Sequence, residues 1–170
     1  MKSYRFQVSS CRLDGALIRN LQPATTVQMK TVKQVAVFAE NKPGQAARIT
    51  KILASASLNI RCITVASSGA YGVMKLLVNE PDRAADTLRK EGIAATLMDV
   101  LAVEMPDKPG ALFQIADCLG RSGVNVDNTT GFIINNRAIV VLEVHNVAEA
   151  GAVLQKAGFH VLSQDETLAI

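Results

Sequence analysis

Hydrophobic and polar positions come in blocks along this chain, and the period changes from block to block. Val35, Val37 and Phe38 read as a strand, Asn41-Lys42-Pro43-Gly44 breaks the run, and Ala46, Ile49, Leu53 and Ala56 then recur at helical spacing as far as Ser57. Asn59 opens a second strand through Ile60, Ile63 and Val65. The turn formers Ser67-Ser68-Gly69 lead into a third, Val73 to Val78, so this pair predicts a hairpin. Pro81 stands where a first-turn proline belongs, ahead of Ala84, Ala85 and Leu88, and Gly92 is placed as a helix stop. A last short strand is expected from Ile93.

The same order returns 66 residues later. Without gaps, residues 35–97 match residues 101–163 at 15 of 63 positions, where ordinary composition gives roughly four. Shared positions include Lys42-Pro43-Gly44 and Lys108-Pro109-Gly110, Ile49 and Ile115, Leu53 and Leu119, Asn59 and Asn125, Leu88 and Leu154, and Gly92 and Gly158. The second copy predicts a strand from Leu101, a helix from Pro109, a strand from Asn125, a turn at Asn135-Asn136, a strand over Ala138 to Val144, a helix through Ala150 and Leu154, and a strand from Phe159. Strand, helix, strand, strand, helix, strand is the split βαβ, or ferredoxin-like, plan. The expected fold is α+β: two βαββαβ units in tandem, at 33–97 and 99–170, with antiparallel sheets packed side by side. Leu97 to Val100 contain no Gly or Pro, which argues for rigidly joined units. A lone unit of this size is marginal, so the halves are expected to share an interface, and function is sought there.

Composition narrows the function classes. The chain is 49% hydrophobic and 19% charged, without the run of about 18 apolar residues that a membrane helix needs. Its net charge of +3 misleads, because residues 1–30 hold five basic side chains against Asp14 alone. The duplicated body carries no charge bias towards nucleic acid. Residues 1–30 are expected to be an extension that folds poorly or is not native, since Met29 is a natural alternative start. Cys11, Cys62 and Cys118 form no CxxC pair, which argues against a disulfide framework or a metal knuckle, and no cofactor is expected. Cys62 and Cys118 read as small core residues of a cytoplasmic protein.

The chemistry lies in the loops. Each copy sets a turn, Asn41-Lys42-Pro43-Gly44-Gln45 or Asp107-Lys108-Pro109-Gly110-Ala111, between its first strand and first helix. Proline at the helix start and glycine beside it are expected to leave an exposed helix N-terminus, which favours a carboxylate. Asn41 and Asp107 can accept from an ammonium group, and carboxylate beside ammonium describes an amino acid. The same residues also suit a plain N-cap without any ligand. Asn59 and Asn125 can close a helix-to-strand turn or reach a neighbouring ligand. Asp127 makes the second copy more polar than Arg61 makes the first.

Asn/Asp-x-Pro-Gly between strand and helix, followed by Asn59-Ile60 or Asn125-Val126 opening the next strand, closely resembles the ACT domain, a small-molecule-sensing module of amino-acid metabolism. Both repeats match, over residues 35 to about 168. The resemblance implies paired domains whose sheets join side by side, with an amino acid held where one domain's first loop meets its neighbour. By position it carries over Asn41, Gly44, Gln45, Asp107, Gly110, Ala111, Asn125 and Val126. Asn41 departs from the acid more usual at that place. A non-catalytic homodimer that modulates an enzyme or transcription factor is expected.

Two other readings fare worse. RNA-recognition motifs share this strand order but need aromatic stacking residues and basic side chains on the central strands, and Tyr71 to Val78 and Arg137 to Val144 lack the aromatic signature. For an enzyme, His145 and His160 lack a repeated Asp or Ser partner in sequence, and nothing resembles an activated nucleophile. The serious rival is a docking module that binds no ligand.

Overall fold

The computed structural model describes residues 30–134 and 137–169. The leader, apart from Lys30, and the expected turn at Asn135-Asn136 lie outside them. The first copy forms β1 (Val32–Glu40), α1 (Gln45–Ser55), β2 (Ile60–Ser68), β3 (Tyr71–Val78) and α2 (Pro81–Lys90). Next comes β4 (Ala94–Met105), followed by α3 (Ala111–Arg121), β5 (Asn128–Ile134), β6 (Arg137–Glu143), α4 (Val147–Lys156), β7 (His160–Leu162) and α5 (Gln164–Leu168). The α+β plan of two antiparallel βαββαβ units is the observed one.

The short strand expected from Ile93 and the strand expected from Leu101 are one element. β4 runs twelve residues through both copies, pairing with β1 from Ala94 to Val100 and with β6 and β7 beyond that point. Period-two alternation continues unbroken across the joint: Ala95 and Leu97 pack on the first helical core, Leu101 and Val103 on the second. The result is one seven-stranded sheet in the order β2-β3-β1-β4-β6-β5, with β7 on β4.

Each helical core repeats the other. Ile49, Leu53 and Leu88 cover Val35, Val37 and Leu76 in the first copy, while Ile115, Leu119 and Leu154 cover Leu101, Val103 and Leu142 in the second. A third cluster contains no helix residue. Val32, Leu77 and Val100 meet Ala102, Ile139, Val141 and Leu162 on the face turned away from the helices. Thr64 Oγ1 of β2 lies 2.8 Å from Thr130 Oγ1 of β5, although these are the outermost strands of the sheet order. The sheet therefore curls until its two ends touch, as twisted sheets of many strands tend to.

Three starts differ from the expected ones. α1 and α3 begin at Gln45 and Ala111, two residues after their prolines, because Gly44 and Gly110 occupy the N-cap with φ of 85° and 88°. β5 begins at Asn128, three residues after Asn125, since Asn125 and Asp127 bond to each other ahead of the ladder (Nδ2 to Oδ1, 2.9 Å). The unforeseen α5 carries a complete capping box from Ser163 and Glu166. It clasps the start of β1: the Lys33 amide donates to Gln164 Oε1 at 2.7 Å, and Lys30 pairs with Glu166 at 2.9 Å.

Candidate functional site

The two first loops fold alike. In the first, the Lys42 amide donates to the Glu40 carbonyl (3.1 Å) and the Gln45 amide to the Lys42 carbonyl (3.2 Å); in the second, Lys108 donates to Pro106 (2.9 Å) and Ala111 to Lys108 (3.2 Å). The turn thus takes up the amide of the first helical residue. Arg48 and Gln114 make the first helical bonds back, to the Gly44 and Gly110 carbonyls. Between them lie the amides of Ala46 and Ala47, and of Leu112 and Phe113, at the positive end of the helix dipole.

Neither Asn41 nor Asp107 caps its helix, since both caps are glycines without a side-chain bond. Asn41 instead braces the loop against the β2–β3 turn. Its Nδ2 donates to the Gly69 carbonyl at 3.1 Å and its own amide to the Ala70 carbonyl at 2.8 Å. Asn59 sits at the opposite end of the sheet, where its amide donates to Asn79 Oδ1 at 2.9 Å. Asn41 and Asn59 of one copy therefore do not converge. Asn125, half-buried Val126 and exposed Asp127 likewise lie at the far end from Asp107, Gly110 and Ala111, with the Asp127 amide bonded to the Glu143 carbonyl (2.9 Å).

Two hollows meet at the first loop. A small one, of about 90 Å³, is lined by Asn41, Gln45, Ala46, Ile49, Val65 and Met74. A groove of about 950 Å³ starts from Glu40, Lys42, Gln45 and Arg48, passes Gly92 and Ile93, and opens onto Phe38, Ala66, Tyr71, Val73, Lys75 and Ala94. Its lining comes from the first copy alone. Polarity in the sequence favoured the second copy, but the large groove lies beside the first.

Charge around the groove is partly neutralised. Lys42 pairs with Glu40 and holds that carboxyl below its usual range, chiefly through their hydrogen bond. Lys75 reaches out of the groove to Glu143 of the second copy, and Asn128 Nδ2 donates to the other oxygen of the same carboxylate at 2.9 Å. Arg48 donates from Nη2 to the Glu91 carbonyl at 3.3 Å and has no carboxylate partner among the described residues.

In the second copy, the position of the groove's apolar floor holds ions. Glu104, Arg137 and His160 are the repeat mates of Phe38, Tyr71 and Ala94. Arg137 grips Glu104 through two hydrogen bonds of 2.7 and 2.9 Å, and His160 Nδ1 lies 2.9 Å from the same carboxylate. The Arg137 hydrogen bond, then that of His160, hold Glu104 down to about 2. His145 is exposed beyond the end of β6. Cys62 and Cys118 are half-buried free thiols, and burial pushes the Cys62 thiol up.

The duplicated loop, the βαββαβ order and the shared sheet are the features of a paired module, and a family model described as an ACT domain pair matches residues 30–169. The chain belongs to the ACT domain pair family. This ACT pair superposes on the crystal structure of protein BT0572 from Bacteroides thetaiotaomicron with a TM-score of 0.78 and 28% identity, over 82% of this chain and 97% of that one. It shares the fold of the ligand-free regulatory subunit of aspartate kinase from Thermus thermophilus (TM-score 0.55, 16% identity, 76% of this chain and 94% of that one). The corresponding subunit from Thermus flavus gives 0.51 and 16%, over 74% and 92%. No curated protein matches the sequence. Among the described residues, no helix is long and apolar enough to cross a membrane.

Of the residues expected from the sequence, Gln45 lines both hollows and Asn41 the small one, whereas Phe38, Arg48, Tyr71 and Lys75 of the groove were not expected. Two signals were available. Phe38 is a large aromatic at an outward position of a strand whose neighbours Val35 and Val37 point inward. Arg48 has Gln114 as its repeat mate, so the first copy carries a guanidinium where the second is uncharged.

Proposed function

We propose that this ACT pair is a non-catalytic cytoplasmic sensor that binds a free amino acid beside the loop Asn41–Gln45 and passes the signal on through its own assembly or a partner. The observation that carries this is the meeting of the two hollows at Gln45, next to the amides of Ala46 and Ala47. Amides at a helix start favour a carboxylate, while Glu40 and Asn41 supply acceptors for an ammonium group. A hollow of about 90 Å³ has room for roughly three waters, so it is a half-site that a neighbouring chain would complete. The outer edge of β2 suits that role: Ile63 and Val65 are 46% and 60% exposed there, and an open strand edge pairs readily with another. Homodimerisation through β2 would set a second chain beside the small hollow. In this reading Gly44 gives the ligand close access, Asp107, Gly110 and Ala111 form an equivalent turn, and Asn59, Asn125, Val126 and Asp127 act only across such an interface.

Sensing requires that the ligand bind one assembly state better than the other. An amino acid offers few atoms, so a Kd of about 1 μM to 1 mM is expected. Calorimetric titration with each of the twenty amino acids tests this directly. At least one should give a saturable heat, and sedimentation of the saturated protein should shift its assembly or its partner affinity. Silence across the panel from folded protein would leave the docking-module reading, which the exposed β2 edge supports by itself.

A further inference from the structure

We propose that the groove of the first copy takes a carboxylate carrying a large apolar or aromatic body, with the carboxylate on Arg48 and the body on Phe38 and Tyr71. The inference rests on the first copy being the ligand-sensing one and names the class of molecule it senses. Three cations line the groove, and two are already matched, Lys42 by Glu40 and Lys75 by Glu143. Arg48 is the one whose charge no carboxylate meets among the described residues, and its bond to the Glu91 carbonyl holds the guanidinium at the rim. A planar guanidinium with further N–H groups to offer matches a carboxylate in two parallel hydrogen bonds.

The floor argues for the body of the ligand. Aromatic residues make up 4% of the chain, yet Phe38 and Tyr71 stand 51% and 69% exposed in one groove, beside Val73 and Ala94. Its volume of about 950 Å³ is near the top of the range usual for small-molecule sites, roughly 300–1,000 Å³. A short polar amino acid would leave most of it filled with water.

The duplication supplies an internal comparison. Where the first copy has Arg48, Phe38 and Tyr71, the second has Gln114, Glu104 and Arg137. The last two satisfy each other as a bidentate ion pair. The fold does not need an exposed aromatic floor or a free guanidinium at these positions, because the second copy folds without either.

The test is calorimetric titration of the full chain with L-phenylalanine, 3-phenylpropionate and phenethylamine, repeated on Arg48→Gln, Phe38→Ser and the second-copy control Gln114→Ala. Gln occupies the Arg48 position in the second copy and the site is exposed, so Arg48→Gln should fold, which thermal melting checks. At least one of the two acids should bind, phenethylamine about tenfold or more weaker, and Arg48→Gln and Phe38→Ser should each weaken the acid about tenfold, with Gln114→Ala unchanged. Phenethylamine binding as tightly as the acids, Arg48→Gln within about twofold of the parent, or neither acid binding would overturn the proposal. If 3-phenylpropionate binds while every amino acid is silent, this assignment stands and the amino-acid reading falls. If a small polar amino acid binds with an affinity indifferent to Arg48→Gln, the reverse holds.

Discussion

Glu104 and Glu166 sit in one charged cluster that joins β4, β7 and α5, with His160 Nδ1 at 2.9 Å from the first and Nε2 at 3.7 Å from the second. Both carboxyls are held at about 2 against an ordinary 4.5, Glu104 chiefly by its hydrogen bond from Arg137, and Glu166 chiefly by the Ser163 amide and then by Lys30. A carboxyl whose folded value is depressed contributes its full stability above the unfolded value and loses it as pH falls towards the folded one. Urea unfolding midpoints should therefore hold steady from pH 7 to about 5 and decline between 4.5 and about 2. Glu104→Gln should flatten that decline; an acid limb identical to the parent's would show that the Arg137 pair adds nothing. Nothing in the primary order marks these residues as neighbours. Arg137 and His160 are 33 and 56 residues from Glu104, and only strand register brings them together.

At the scale of elements, the helix starts carry the most informative difference. Proline before glycine in each copy reads as a first-turn proline, but the glycine is the cap and the helix follows it. A left-handed φ of 85° or 88° disfavours any side chain by about 1–2 kcal/mol. A Cβ at either position would meet no atom within 4 Å, so the cost is backbone strain and not collision. Gly44→Val and Gly110→Val should each lower the unfolding free energy by about 1–2 kcal/mol or somewhat more for a β-branched residue. On the proposed function, only Gly44→Val should also weaken the ligand, and calorimetry beside urea unfolding separates the two effects. If Gly110→Val alone abolished binding, the site would move to the second copy. Helices, hairpins and their order were legible because period and turn chemistry are local properties of Ile49, Leu53, Pro81 and Gly92. The fusion of two expected strands into β4 was not, because only pairing with β1 on one stretch and β6 and β7 on the next keeps twelve residues extended.

Across the whole molecule, the 66-residue repeat is nearly a two-fold axis through the Thr64–Thr130 contact, since those threonines are repeat mates of each other. Lys75 and Glu143 are the mates of Val141 and Leu77. One side of the axis thus holds an ion pair where the other holds apolar side chains of the third cluster. The pair is largely buried, at 17% and 10% side-chain exposure, so removing one partner strands a charge while replacing both need not. Glu143→Gln or Lys75→Met should cost about 1–3 kcal/mol. Lys75→Val with Glu143→Leu, plus Asn128→Ala to remove the amide that Glu143 satisfies, should lie within about 1 kcal/mol of the parent. A triple variant less stable than the parent by about 2 kcal/mol or more would mean that the pair is a net stabiliser relative to its apolar replacement. The same exchange probes coupling, because Lys75 also lines the groove.

The sequence by itself determined that there are two βαββαβ units, where their helices and turns fall, and that a Pro-Gly loop opens each first helix. Those are consequences of local periodicity and of what proline and glycine allow a backbone to do. Only the tertiary structure decided which copy bears the groove. Phe38, Arg48, Tyr71 and Lys75 come from β1, α1 and β3, and they line one cavity because β1 pairs with β3 and α1 packs beside them, while at the matching positions of the second copy Glu104, Arg137 and His160 bond to one another.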